Sequence, residues 1–394
     1  MIDMPALASM PVCVVTFKEC WRDADGVWLT DGGFPGQMAA LASVFGPMTI
    51  VICEIPPRAG GSPLPATARV VPLARPRGHD WRRKLSFLTR VPDYSRTIRR
   101  EIGGADVVHV PLPGDIPLLG MAIAIAERKR IFARYCSSWE TNTQTTLWNR
   151  LTKSWMRALA GGKHVMLATG ADADFPADGV RAVFATSITD NEVKRVQPDL
   201  DRPPGAVLRL SFAGRLSREK GIRFLIEAIA SLRAQTDAPR VELEIMGDGP
   251  LRAELEALAR RIDATSVRFL GQLNRGALLD RLQQSDVCVL PSLSESYCKA
   301  RLDAMLCGTP VITTPVGSGR AIAGPNGERG LLVPVGRADA IADAVRRAAA
   351  WDDWPARRAR CRRFAEQHTL ERWAEEIARR CRDRWDTDGV REVA

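Results

Sequence analysis

The 394-residue sequence predicts an α/β protein of two Rossmann-like, doubly wound parallel-sheet domains facing a central cleft. Three observations predict it. Short β-rich apolar runs alternate with helical patterns through both halves, as parallel strands joined by crossover helices do. The alternation breaks once, at the proline-rich polar stretch "RVQPDLDRPPGA" over residues 195–206, which reads as an interdomain linker. The length also exceeds what one ordinary core supports.

In the first half, "PVCVVTF" reads as a buried parallel strand, "TDGGFPGQMAALASVF" as a glycine loop giving way to a helix, and "MTIVICE" as the next strand. The order recurs in "ADVVHVPLPGD", a helix over residues 116–128, and "KRIFARYC". After the linker come strand "VLRLSFAG", amphipathic helix "GIRFLIEAIASLRAQ", strand "VELEIMGDG" and helix "PLRAELEALARRI", with proline at its start. "SVRFLGQL", "GALLDRLQQS", "DVCVLPS", the helix "CKARLDAMLC" and "PVITTPVG" continue the alternation, and residues 338–385 read as arginine-rich helices. The expected division is residues 1–200, residues 201–365, and a helical tail, 366–394, packing back on the first domain.

Composition narrows the function. Hydrophobic content of 45% with 26% charged residues is that of a soluble globular protein. No apolar run reaches the roughly 18 residues that a membrane span requires; the longest, "IPLLGMAIAIA", stops at Glu127. The N-terminal stretch lacks a basic leader and a small-residue cleavage site, so the expected location is the cytoplasm. Nine cysteines without C-x-x-C pairs read as reduced thiols, and four dispersed histidines, at 79, 109, 164 and 368, speak against a histidine-built metal site. The net charge of +10 points to an anionic partner. No nucleic-acid-binding motif accompanies it.

Chemistry concentrates at predicted strand ends. In "SFAGRLSREKG" the strand closes at Gly214, placing Arg215 and Lys220 where ligands of open α/β sheets lie. A planar fork and a compact ammonium together suit a diphosphate. In "TTPVGSGRAIAG", Gly317 and Gly319 offer a second anion cradle before a helix N-terminus. Glu295 follows "DVCVLPS" at the same edge and can accept hydrogen bonds from sugar hydroxyls; Asp303, two turns into the next helix, can accept them from a ribose. Each stretch alone has an ordinary alternative, a solvated basic loop or an αβ turn. Their conjunction, cations for phosphate and acids for hydroxyls, suits a nucleotide sugar.

With "IMGDGPLRAELEALA", "SDVCVLPSLSESYCKARLDAMLCGTPVITTPVG" and "GERGLLVPVGRADAIADAV", these stretches resemble the retaining glycosyltransferases of family 4, also called group 1 glycosyltransferases, which adopt the GT-B fold. The resemblance is dense over residues 207–350 and looser before them, through "DGGFPGQMAALASVFG" and "DVVHV". It implies a metal-independent retaining glycosyltransferase of polysaccharide biosynthesis. No cofactor is expected beyond a nucleoside diphosphate sugar as donor, and the acceptor is a glycan or lipid-linked glycan. Arg215 and Lys220 would hold the diphosphate, Glu295 the transferred sugar and Asp303 the ribose. Gly33 would lie against the donor from the first domain, with Gly214, Tyr297, Cys298 and Lys299 completing the donor site.

The chain also departs from the family. Asp303 stands where the family has Glu, Tyr297-Cys298 where it has Phe-Gly, and the histidine that many members carry near "YCSSWETN" is missing. His109, closing "DVVHV", is the substitute on the acceptor side; a hydrogen-bonded structural histidine is its other reading. The departures leave a second functional class open, a non-catalytic glycosyltransferase-like subunit that binds a partner enzyme or glycan. Two basic tryptophan stretches remain, "ARPRGHDWRRKLSFLTRVPDYSRTIRR" and "LWNRLTKSWMRALAGGK". They suit peripheral contact with an anionic membrane at the inner face of the cell membrane, or a solvated helix with core-facing tryptophans.

Overall fold

The computed structural model describes residues 7–78, 80–137, 139, 146–170, 179–262 and 266–391. The chain divides into two compact units, Met1–Phe184 with Leu370–Ala394, and Ala185–Thr369.

The first unit holds strands β1 (Val12–Arg22), β2 (Trp28–Thr30), β3 (Met48–Glu54), β4 (Ser62–Pro63), β5 (Arg69–Ala74), β6 (Val107–Leu112), β7 (Arg130–Tyr135), β8 (His164–Thr169) and β9 (Arg181–Val183). Its helices are α1 (Phe34–Ala42), α2 (Asp80–Gly103), α3 (Asp115–Ala126) and α4 (Leu147–Leu159). The parallel body of the sheet runs β5-β3-β1-β6-β7-β8-β9, and the far end of β1 adds β2 and then β4 antiparallel. Alternation along each strand splits the core between two faces. Val12, Val14, Ile50 and Phe132 point to the face covered by Met38 and Leu41 of α1. Cys13, Val15, Val51 and Ile131 point to the other, beneath Ile98 of α2, Met121 of α3 and Met156 of α4. Burial on both faces is why these strands read as continuous apolar runs.

The second unit holds α5 (Asp190–Arg195), β10 (Leu208–Ala213), α6 (Ile222–Arg233), β11 (Val241–Met246), α7 (Arg252–Arg261), β12 (Val267–Gly271) and α8 (Arg275–Gln284). It continues with β13 (Val287–Leu290), α9 (Lys299–Leu306), β14 (Val311–Thr313), α10 (Gly319–Ala323), β15 (Gly330–Leu332), α11 (Ala338–Ala349) and α12 (Trp354–Glu366). Its sheet is parallel throughout, in the order β12-β11-β10-β13-β14-β15. The last helix, α13 (Leu370–Arg391), belongs to the first unit, where Trp373, Ile377 and Trp385 enter the α1 side of the core.

Two expectations need correction. The division falls at 184/185, ahead of the expected 200/201. The reason is that α5 is fastened to the second unit: Thr189 and Glu192 form a capping box, and Glu192 pairs with Arg275 at 2.7 Å. The supposed linker is fastened too, by Arg202 to the buried Asp286 at 2.9 Å. Secondly, the tryptophans of α4 do not face the core. Trp148 is 56% and Trp155 36% exposed, in a stripe with Leu147 and Leu151, while the helix buries Thr152, Lys153 and Met156. The basic stretch before it forms α2, which exposes Trp81, Leu85 and Leu88 at helical spacing. No described helix is long and apolar enough to cross a membrane.

Each sheet reverses its strand order once, between β1 and β6 and between β10 and β13. Ligands of open α/β sheets bind beyond the carboxyl ends of the strands at such a reversal.

Candidate active site

At the reversal of the second sheet, β10 ends at Ala213, and Gly214, Arg215 and the helical turn Arg218–Lys220 follow. Gly221 then opens α6 at φ 65°; a Cβ there would fall 2.1 Å from the Pro291 carbonyl oxygen. Only glycine lets the chain after β10 lie this close to the chain after β13. The Leu293 N–H, donating to the Glu219 carbonyl at 2.7 Å, fastens the same contact. Lys220 is thereby carried to Glu295, and the two form an ion pair with side chains 20% and 14% exposed. Burial opposes the Lys220 ammonium, but the neighbouring Cys298 and Glu295 outweigh it and the pKa is raised. The lysine is a cation at neutral pH. Arg215 is exposed and, among the described residues, has no carboxylate within ion-pair distance, although Glu219 lies in its field.

A cavity of about 470 Å³ opens beside Arg215, lined in part by Gly214, Gly247, Leu273, Ala300 and Asp303. Its size is that of a small-molecule site. Lys220 and Glu295 are not in its lining. Asp303 reaches it from α9, 6% exposed, with Oδ1 2.7 Å from Nη1 of Arg275. Arg275 stands first in α8, which Asn274 caps through the Ala277 N–H, and its Nε and Nη2 reach both oxygens of Glu192 at 2.7 and 3.1 Å. Burial raises the Asp303 pKa; Arg275 opposes the shift. The carboxylate expected to grip a ribose is thus already engaged by an arginine.

Tyr297 and Cys298 are buried, at 8% and 5% exposure, and burial pushes both of their pKa values up. Cys298 is the N-cap of α9 and Lys299 its first residue. Gly33 lies in the first unit as the N-cap of α1.

His109 is the clear correction. It sits inside β6 with no solvent exposure, its ring stacked on Phe132 at 4.1 Å and Nδ1 3.0 Å from the Phe132 carbonyl oxygen. Burial first, and Arg134 second, lower its pKa to about 3. A neutral ring closed off from solvent cannot serve an acceptor, so the structural reading of this histidine holds. Ser138, Glu140, Thr141 and Asn142 of "YCSSWETN" lie outside the described residues.

Residues 208–350, from the start of β10 to the end of α11, match the family described as Glycosyl transferases group 1. This segment is a group 1 glycosyltransferase domain. Over 210 residues the chain is 34% identical to a D-inositol 3-phosphate glycosyltransferase of Jonesia denitrificans, covering 50% of this chain and 47% of that protein. It therefore spans about half the length of that curated relative. In three dimensions it is similar to sucrose-phosphate synthase of Thermosynechococcus elongatus, with a TM-score of 0.70 and 20% identity over 96% of this chain and 100% of the other. It is also similar to HepE of Anabaena, solved with UDP and glucose, at a TM-score of 0.60 and 15% identity over 94% and 98% of the two chains. These likenesses show the fold, GT-B.

Within the second unit, the structure adds residues that the sequence reading passed over. Arg275 was hidden in "NRGALLD", where it looks like any surface arginine of a helix N-terminus. Arg301 was hidden in "CKARLDAMLC" for the opposite reason: a buried arginine is invisible until its acceptors are known. Arg358 of α12, 1% exposed, pairs with Asp286, which also accepts the Arg209 backbone N–H at 2.9 Å.

Proposed function

We propose that the protein is a retaining, metal-independent glycosyltransferase that moves a sugar from a nucleoside diphosphate donor to a glycan or lipid-linked glycan. The observation that carries this reading is the convergence, at the reversal of the second sheet, of Arg215, the Lys220–Glu295 pair and the adjoining cavity inside a group 1 domain. Arg215 and Lys220 meet the charge that develops on the leaving diphosphate, a fixed electrostatic contribution of the kind that dominates many transition states. Glu295, held by Lys220, turns its remaining acceptor capacity to the transferred sugar. The nucleoside takes the cavity, with its ribose at Asp303. The glycosyltransferase relative and the UDP bound to a protein of the same fold favour this donor class.

The test is mass spectrometry of a panel of nucleotide sugars incubated with the purified protein, with and without EDTA. Release of nucleoside diphosphate from one donor, unchanged by the chelator, is expected. Loss of turnover in EDTA with recovery on adding a divalent ion contradicts metal independence. Binding without any turnover, in the presence of acceptor extracts, favours the non-catalytic subunit instead.

We place the protein in the cytoplasm and assign it peripheral contact with anionic lipid. The support is on one face of the first sheet, where α2 and α4 both pack and both expose apolar stripes, Trp81, Leu85 and Leu88 on one and Leu147, Trp148 and Leu151 on the other. Exposed Arg82, Lys84 and Arg150 border these stripes. Aromatic and aliphatic groups flanked by cations match a headgroup–acyl boundary.

A further inference from the structure

Most buried arginines of the second unit have carboxylates, and one does not. Arg358 and Arg362 are buried and pair with Asp286 at 3.1 Å and Glu366 at 2.7 Å. Arg301 is wholly buried and, among the described residues, no carboxylate lies within ion-pair distance of it. Its hydrogen-bond acceptors are neutral. Nε donates to Thr313 Oγ1 at 2.9 Å, and Nη1 donates to the Val316 carbonyl at 3.2 Å and the Ser318 hydroxyl at 3.4 Å. Nη2 is buried and, among the described residues, has no hydrogen-bond partner. A guanidinium keeps its proton in proteins, so this charge stays inside the fold with nothing opposite it.

The place of this charge gives it a use. Its acceptors are the last residue of β14 and two residues of the turn between β14 and α10, and that turn rests on the loop of Glu295. A Cβ on Gly317, at φ 55°, would fall 2.3 Å from the Ser296 carbonyl oxygen and 2.7 Å from that of Glu295. Arg301 therefore lies under the same backbone as the Lys220–Glu295 pair, and its charge, after the larger effect of burial, works against protonation of Lys220. Lys220 is matched by Glu295. Among the described residues, neither Arg301 nor Arg215, whose field reaches the Glu219 carboxylate, has a carboxylate within ion-pair distance, and a diphosphate brings negative charge to both.

We infer that Arg301 is a positioning residue for the donor diphosphate: it holds the 316–318 turn in place and supplies from beneath it a permanent positive charge that the bound diphosphate completes. This rests on the donor reading above. It assigns Arg301 no contact with the ligand, only the turn and the field.

Calorimetry with UDP, GDP and ADP, each beside its own nucleoside, tests it. The wild-type protein is expected to prefer one diphosphate to its nucleoside. Arg301→Gln should weaken that diphosphate at least tenfold while leaving the nucleoside within twofold. Arg301→Lys, which keeps the charge and loses the fork, should stay within threefold of wild type for both. Equal losses for nucleoside and diphosphate in Arg301→Gln would mean a purely structural arginine and overturn the inference, as would wild-type binding in that variant. Should Arg301→Gln fail to fold, Arg301→Lys decides alone: a collapse of its diphosphate-over-nucleoside preference overturns the inference, and a preserved preference supports it. No diphosphate binding by the wild-type protein would overturn the donor reading and this inference together; failure confined to the variants overturns this inference only.

Discussion

The parallel bodies of the two sheets each reverse their strand order once, yet the polar side chains described beside the two reversals are placed differently. In the first unit, His109 lies within β6, stacked on Phe132 and beside a carbonyl oxygen, and Asp115 past the strand is already paired with Arg83. In the second unit, the charged residues come after the strands have ended: Arg215 past β10, and Glu295 past β13. A few residues along the chain separate a core side chain from a ligand-facing one. Topology nominates the edge, and position relative to the last strand residue decides what can act there.

The largest expected effect comes from breaking the buried charge set behind the second site. Arg275→Met leaves Asp303 and Glu192 without their shared cation and should cost about 3–5 kcal/mol, the usual penalty for stranding one side of a buried pair. Denaturant midpoints of variant and wild type measure it, and an unchanged midpoint would mean that Arg275 contributes nothing there. Next is turnover. Lys220→Ala and Arg215→Ala should each lower it by roughly 10²–10³-fold, the range seen when one fixed donor to a developing oxyanion is removed. His109→Gln should leave turnover within about threefold, because the ring is stacked inside β6 and closed off from solvent; a collapse in that variant erases the contrast between the units.

The contrast also predicts a pH dependence of stability. The His109 pKa of about 3 in the folded protein lies below the roughly 6.5 of an unfolded chain, so the unfolded chain binds the extra proton between those values. The stability gained by keeping the ring neutral is intact above pH 6.5 and is lost as pH falls toward 3, at up to about 1.4 kcal/mol per pH unit. His109→Gln should flatten that slope in denaturation measured from pH 7 to 4. Lys220, with its raised pKa, stays protonated throughout that window. The smallest effect belongs to the surface of the first unit: Lys84→Ala and Arg150→Ala should each weaken flotation with anionic liposomes by about 1 kcal/mol, in a salt-sensitive way. No association of the wild-type protein at low salt removes the membrane assignment.

Legibility followed the same divide. The second unit was readable because its strands, glycine turns and cations come in short contiguous stretches, and "SFAGRLSREKG" carries the strand end, the cation and the tight turn together. What escaped was long-range pairing. Asp303 and Arg275 lie on different helices, and neither residue type announces a buried partner. "RVQPDLDRPPGA" looked like a linker because prolines and charges are also what a surface strap contains; Arg202 reaching Asp286 is a tertiary fact. In the first unit, Pro92 inside α2 broke the helical pattern on which a reading of that stretch depends. Trp148 and Trp155 gave a period without a direction, and the packing of Met156 supplied it.

The central claim is that diphosphate recognition resides at the reversal of the second sheet. Calorimetric titration of UDP, GDP and ADP into wild type, Arg215→Ala and His109→Gln tests it most directly. The account predicts that wild type and His109→Gln bind the same nucleotide with equal affinity, and that Arg215→Ala binds it at least tenfold more weakly. Equal affinity in Arg215→Ala and wild type, or lost binding in a folded His109→Gln, would contradict it.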